Sequence, residues 1–319
     1  MDNHYYKYIN GPQDLITLKQ VTREKFLTFA SEKNQKMIQY INNAKVFRDV
    51  VSKTKNAHEL KNIEEIRPAL LNAAGFSEKA MSLITEDDKD RAIDNLINNV
   101  LIPAGDNYID EILYRYLLLQ GDALGGSMRN HVGSSGQQKL IRALLFNMDL
   151  LGINYNWIDS KRPKKWNSRS MDDTGIEKRV KAIAWTHQDK NRVLAFNLKL
   201  PIIGKNVDIC LFNCTTHQYL SQDIVRSPEK FVMFGELKGG ADPAGADEHW
   251  KTAISALARI KTGCRQSSPN VKLSFVGAAI EENMANEIWQ QLKEGVLNHA
   301  ANLTIEGQVT NYCNWMLTL

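Results

Sequence analysis

The segment Phe231-Val232-Met233-Phe234-Gly235-Glu236-Leu237-Lys238 constrains the fold most; Gly239-Gly240 follow it and, one residue on, Asp242-Pro243. Its first four residues are apolar, as a strand inside a sheet requires. Side chains on a strand alternate, so Glu236 and Lys238 share one face. The glycines permit close backbone approach and a sharp exit from the strand. Upstream, Gly204-Lys205-Asn206-Val207-Asp208-Ile209-Cys210-Leu211-Phe212 reads as a second strand. The stretch 213–230 is long enough to connect two neighbouring strands, and Asp208 would then meet Glu236 across them. Two carboxylates and an amine at one place suit a divalent cation and an attacking water at a phosphodiester. In that chemistry Lys238 orients the water or stabilises its hydroxide form. The competing reading is a surface strand whose Glu and Lys face solvent. A three-residue Glu-x-Lys pattern is too short to decide; the apolar flank and the preceding Asp strand favour the site.

Around these strands the pattern predicts an α/β fold. Residues 22–47, 62–74 and 87–100 carry apolar residues at helical spacing, punctuated by Gly75 and Ile102-Pro103-Ala104-Gly105. Residues 108–120 read as a buried amphipathic helix that ends at a turn over 121–126, and 137–150 resume the helical period. Strands are predicted at 192–200, 207–212, 231–237 and 271–278, with helices at 247–259 and 283–298. Strands and helices thus alternate after about residue 190, which implies a mixed sheet with flanking helices behind a helical front lobe.

Composition narrows the class. With 319 residues the chain can bury a sizeable core in two lobes, and 43% hydrophobic with 24% charged residues excludes wholesale disorder. A net charge of +4 permits an anionic partner without requiring one. Cys210 and Cys214 lack the second ligand pair that zinc needs, so these and Cys264 and Cys313 are expected as buried reduced thiols. No apolar signal opens the chain and no apolar run reaches membrane-spanning length, so a cytoplasmic protein with no membrane partner is expected.

Further candidates surround the strand pair. His249, near the start of a predicted helix, has the chemistry to take a proton from water or to contact the scissile phosphate; its ordinary alternative is a structural hydrogen bond. Asp247 is placed to cap that helix, and Glu248 and Lys251 read as local supporting charges. Asp242, on a Gly-Pro loop, could accept from a cytosine amino group in a major groove, or serve as a turn cap. Lys161-Arg162-Pro163-Lys164-Lys165, flanked by Trp157 and Trp166, is the strongest phosphate-contact candidate outside the cleft, its ordinary alternative being a solvated charged loop with two anchoring aromatics. The glycines of 121–126 and the Gly133-Ser134-Ser135-Gly136 turn could bring Arg129 or Asn130 to a base or phosphate, or close the core. They lack the Gly-Lys-Ser/Thr ending of a nucleotide-binding loop. Lys79 in the front lobe is a candidate DNA contact, though an ordinary surface lysine is the simpler reading.

Val207-Asp208-Ile209 with Gly235-Glu236-Leu237-Lys238 resembles the PD-(D/E)xK nuclease arrangement. Val207 stands where that pattern has proline, but only the carboxylate binds metal. The stretch 235–252, the His4-Tyr5-Tyr6-Lys7-Tyr8 segment and the helical front half resemble the AvaI/BsoBI family of type II restriction endonucleases, over nearly the whole chain. The resemblance implies a restriction-endonuclease-like mixed-sheet core with an additional helical domain: residues 1–105 embracing DNA, residues 106–319 carrying catalysis and recognition elements. It implies metal carboxylates at Asp208 and Glu236, a catalytic lysine at Lys238, an active-site histidine at His249 and a base-contacting aspartate at Asp242. It also implies Mg²⁺, a homodimer around double-stranded DNA, and cleavage of CYCGRG after the first cytosine to leave four-nucleotide 5′ overhangs. The alternatives are a non-enzymatic DNA-binding protein and a less specific DNA repair nuclease.

Overall fold

The computed structural model describes residues 4–170, 172–240 and 246–319. Its helices and strands run in the order α1 (Lys19–Val51), α2 (Arg67–Ala73), α3 (Glu78–Met81), α4 (Glu86–Leu96), α5 (Tyr108–Leu150), β1 (Tyr155–Asp159), β2 (Trp166–Ser168), β3 (Val180–His187), β4 (Lys190–Leu200), β5 (Lys205–Phe212), α6 (Thr216–Ser221), β6 (Phe231–Lys238), α7 (Ala246–Cys264), β7 (Lys272–Gly277), α8 (Glu282–Lys293), β8 (His299–Asn302) and α9 (Glu306–Thr318). Two compact units result: Leu27–Asn130, and Met1–Phe26 together with His131–Leu319.

The second unit is built on one eight-stranded sheet of order β2-β1-β3-β4-β5-β6-β7-β8. Neighbours from β2 to β6 pair antiparallel, whereas β6, β7 and β8 run parallel. Parallel neighbours need crossovers, and α7 and α8 supply them. The central strands are apolar on both faces because both are covered. On one face Cys210, Phe212, Phe234 and Phe275 pack against Trp250 and Leu257 of α7 and Ile288 of α8. On the other, Ile209, Leu211, Met233 and Val276 pack against Leu144 and Met148 of α5 and Tyr312 and Met316 of α9. Each such buried side chain contributes about 1.5–3 kcal/mol of transfer free energy. The mixed sheet with flanking helices is the expected one. It begins earlier than the sequence pattern indicates, at Tyr155, and β8 and α9 extend it beyond the predicted elements.

Tyr5, Ile9 and Leu15 are buried in the core of the sheet unit. The helical unit has its own core, from Phe47 and Val51 of α1, Leu70 of α2, Ile93 and Leu96 of α4 and Ile112 and Tyr116 of α5. Thr85 starts α4 with a capping box, its hydroxyl accepting from the Asp88 N–H at 3.2 Å while the Asp88 carboxylate accepts from the Thr85 N–H at 3.1 Å. The predicted helix over 62–74 is regular only from Arg67, where Pro68 sits in the first turn and needs no donor.

The turn expected over 121–126, and the one at 133–136, are both absent: α5 runs unbroken through them. An interior glycine costs a helix about 1 kcal/mol. Here burial overrides that cost. Leu124, Met128, Leu140, Leu144 and Met148 are buried, at intervals that are multiples of four, and this stripe holds the helix together. All four cysteines are free and buried, as expected. Among the described residues no helix is long and apolar enough to cross a membrane.

Candidate active site

The site forms where β5 meets β6. Ile209 pairs with Gly235 in antiparallel register, so one step further Asp208 stands level with Glu236. Gly235 makes this register possible. A Cβ there would lie 2.5 Å from the Ser274 hydroxyl on β7, which is itself fixed by the Tyr312 hydroxyl at 2.8 Å. Gly235→Ala should therefore destabilise the fold by about 1–3 kcal/mol, as overpacking does. Thermal unfolding checks this; an unchanged melting temperature would show that Ser274 does not set the spacing.

Glu236 and Lys238 lie on the same face of β6 as the buried Phe234, beyond its apolar part, as the alternation requires. Glu236 is only 3% exposed. The Lys238 ammonium donates to its carboxylate at 3.3 Å. Asp208 is half-buried, and its Oδ2 accepts from the Leu237 N–H at 2.9 Å. That bond ties the acid of one strand to the backbone of the next, between Glu236 and Lys238. The three side chains that the sequence pattern groups as a set are thus brought together by the fold.

Burial, and then the neighbouring Asp208 charge, push the Glu236 carboxyl up from its ordinary 4.5 to about 7, against the pull of Lys238. One ammonium does not offset the burial of Glu236 beside a second carboxylate. The donor set fits a hard divalent cation such as Mg²⁺, which commonly takes one or two carboxylates and keeps several waters. Among the described residues no group of three His, Cys, Asp or Glu gathers to hold a metal.

The raised carboxyl carries a stability prediction for the metal-free protein. The folded state holds the Glu236 proton more tightly than the unfolded chain, so its contribution is complete below about pH 4.5 and is lost as pH rises through about 7. Glu236→Gln should remove that loss, leaving the metal-free variant more stable than the parent above neutral pH by on the order of 2 kcal/mol. Melting curves from acid to alkaline pH in a chelator check it; parallel curves for the two proteins would contradict it.

β6 leaves the sheet through Gly239 and Gly240, and α7 returns past it. His249 is half-buried in the first part of α7. Its ring lies against this exit: a Cβ on Gly240 would come within 3.0 Å of His249 Cε1. The next residue anchors the helix. Trp250 is buried, stacks edge-on to Phe275 at 5.0 Å and donates to the Glu287 carboxylate at 2.7 Å. Phe275 is in turn the β7 partner of Glu236. His249 is therefore placed beside the exit of β6, two residues past Lys238, and Trp250 is a support that the sequence pattern does not single out.

Asp242 lies outside the described residues, as does the side chain of Asp247. Lys161, Arg162, Lys164 and Lys165 are exposed in the turn between β1 and β2. Their flanking tryptophans face inward: Trp157 is buried beneath the Arg179 guanidinium at 5.5 Å, and the Trp166 indole N–H donates to the Thr216 carbonyl at 3.0 Å. Lys79 is exposed on α3 and Asn130 on α5, both in the helical unit; Arg129 lies on α5, its side chain outside the described ones.

A mixed sheet covered by helices, with two acids and a lysine at the ends of adjacent strands, defines a restriction-endonuclease-like protein of PD-(D/E)xK type. The family model described as "Restriction endonuclease BsobI" matches residues 5–319. Over 317 residues the chain is 45% identical to the type II restriction enzyme BsoBI of Geobacillus stearothermophilus, covering 99% of this chain and 98% of that protein. It is 43% identical over 315 residues to the type II restriction enzyme AvaI of a Nostoc species and of Anabaena variabilis, covering 99% of this chain and 99% of each relative. The chain belongs to the AvaI/BsoBI family of type II restriction endonucleases.

Proposed function

We propose that this chain is a Mg²⁺-dependent cytoplasmic homodimer that hydrolyses double-stranded DNA at CYCGRG, after the first cytosine, leaving four-nucleotide 5′ overhangs. The observation that carries the chemistry is the convergence of Asp208, buried Glu236 and Lys238 at one strand pair. The full-length likeness to BsoBI and AvaI supports the class of substrate.

In this reading Asp208 and Glu236 would hold the cation. When bound, Mg²⁺ supplies Lewis acidity, stabilising charge that develops on the phosphate and easing ionisation of the attacking water. Lys238 donates to that water from the side, fixing its lone pair toward phosphorus. His249 reaches the same space from α7, placed to accept a proton or to contact the phosphate. Two identical sites related by a twofold axis address the two strands of a palindrome. The helical unit, Leu27–Asn130, embraces the duplex while the sheet unit cuts it.

Recognition divides between backbone and base contacts. Lys161, Arg162, Lys164, Lys165 and Lys79 contact phosphates, Arg129 or Asn130 a base or phosphate, and Asp242 has the role of a base acceptor. Neutralising the four exposed residues of the β1–β2 turn should weaken duplex binding and flatten the log–log salt slope by roughly 0.9 for every phosphate left without its cation. Binding titrations across a salt series measure this, and an unchanged slope would place the turn away from DNA.

The deciding experiment is cleavage of a diverse duplex library with Mg²⁺, followed by sequencing of the ends. Fragments ending at a single degenerate hexamer with the stated overhang are expected. Progressive shortening without a shared site would point to a repair nuclease, and intact DNA to a binding protein.

A further inference from the structure

We propose that the backbone contact between Gly136 of α5 and Gly239, just past β6, is a positioning element that holds Lys238 and His249 in the cutting geometry; the inference rests on the reading of the site above. Gly136 is buried in a helix interior, where glycine is a poor choice. A Cβ on it would lie 2.4 Å from the Gly239 Cα and 3.4 Å from the Gly239 nitrogen. The fit is mutual. A Cβ on Gly239 would lie 3.0 Å from the Gly136 Cα and from the carbonyl oxygens of Val132 and Gly133. Neither position can take another side chain without moving the backbone opposite. Gly121 and Gly133 sit in the same helix with nothing within 4 Å of such a carbon, unlike Gly136.

The packing continues into the site. At Gly240 a Cβ would lie 3.0 Å from His249 Cε1, 3.5 Å from its Nδ1 and 3.9 Å from Val132 Cγ1. One turn of α5, residues 132–136, therefore rests on the two residues that follow Lys238 and beside the histidine. From the other side the Lys238 carbonyl accepts from the Ala278 N–H at 2.9 Å. The strand end is held between α5 and the exit of β7, and the lysine's starting point is fixed by both. Displacing reacting groups by about 1 Å can reduce a rate on the order of a hundredfold. A shift of the strand end acts on turnover, because it moves Lys238 and His249, while the phosphate-contact residues of the β1–β2 turn stay in place.

The test compares Gly136→Ala with Gly121→Ala in single-turnover cleavage at saturating duplex with Mg²⁺, alongside duplex affinity with Ca²⁺ and melting temperature. Gly136→Ala should cut roughly 10- to 100-fold more slowly while binding within about threefold of the parent. Gly121→Ala should cut at the parental rate and melt no lower. A folded Gly136→Ala that cuts at the parental rate overturns the proposal, and so does an equal loss of rate and binding. Should Gly136→Ala not fold, Val132→Ala carries the same test without adding an atom. Its rate should fall by about three- to tenfold at unchanged affinity, and a parental rate overturns the proposal. A parent chain that cuts no duplex would sink the reading of the site itself, before the glycine packing is at issue.

Discussion

Glu236→Ala is expected to cut duplex DNA at least about a thousandfold more slowly than the parent, with its affinity for the same duplex in Ca²⁺ changed by less than about fivefold. The size of the effect follows from where Glu236 sits. It is almost fully buried, level with Asp208, and its carboxyl is driven up by burial and by that neighbour. Such a group is destabilising for the metal-free fold, so its presence calls for a gain elsewhere, and in the proposed reading a bound divalent cation would provide one. Alanine leaves a single carboxylate, so the proposed cation would lose half its side-chain ligands. The fold itself should survive, because the substitution also removes a buried charge. A melting temperature at or above the parental one at neutral pH, together with abolished cleavage, separates chemistry from unfolding. A folded variant that cuts at the parental rate would remove Glu236 from the site.

Lys238→Ala is expected to slow the cleavage step by about 10²–10⁴, the range for losing a positioned group in proton-transfer chemistry, again with little change in duplex binding. The ammonium is half-buried and donates to Glu236 at 3.3 Å, so it stands beside the proposed cation site. Arginine should not restore the rate. Its planar guanidinium is larger and cannot stand where a compact ammonium stands beside Glu236. Single-turnover rates at saturating DNA and Mg²⁺ measure both variants. If Lys238→Arg cut like the parent, the lysine would be supplying only positive charge.

Much of this site is legible in the sequence, for a physical reason. β5 and β6 carry long apolar runs bounded by glycine and polar residues, and alternation alone puts Glu236 and Lys238 on one face. The approach of Asp208 to Glu236 is less visible. It depends on the Ile209–Gly235 register, and that depends on Gly235 fitting over Ser274, on a strand reached only after the α7 crossover. The continuity of α5 is hidden because glycine breaks helices locally, whereas the buried stripe from Leu124 to Met148 that holds this one together is a tertiary property. The strands β1, β2 and β8 are short, and in β3 the run Ala182-Ile183-Ala184-Trp185 is buried throughout, so period-two alternation disappears. The partner of Gly136 has no sequence signature, because neither glycine announces which backbone it will meet.

The most direct measurement is anomalous diffraction from crystals of the protein with duplex DNA and Mn²⁺. A peak within coordinating distance of both the Asp208 and Glu236 carboxylates, beside a phosphate and the Lys238 ammonium, is the predicted result. A folded complex in which the cation binds elsewhere, with those two carboxylates unliganded, would contradict the assignment of this strand pair as the cutting centre.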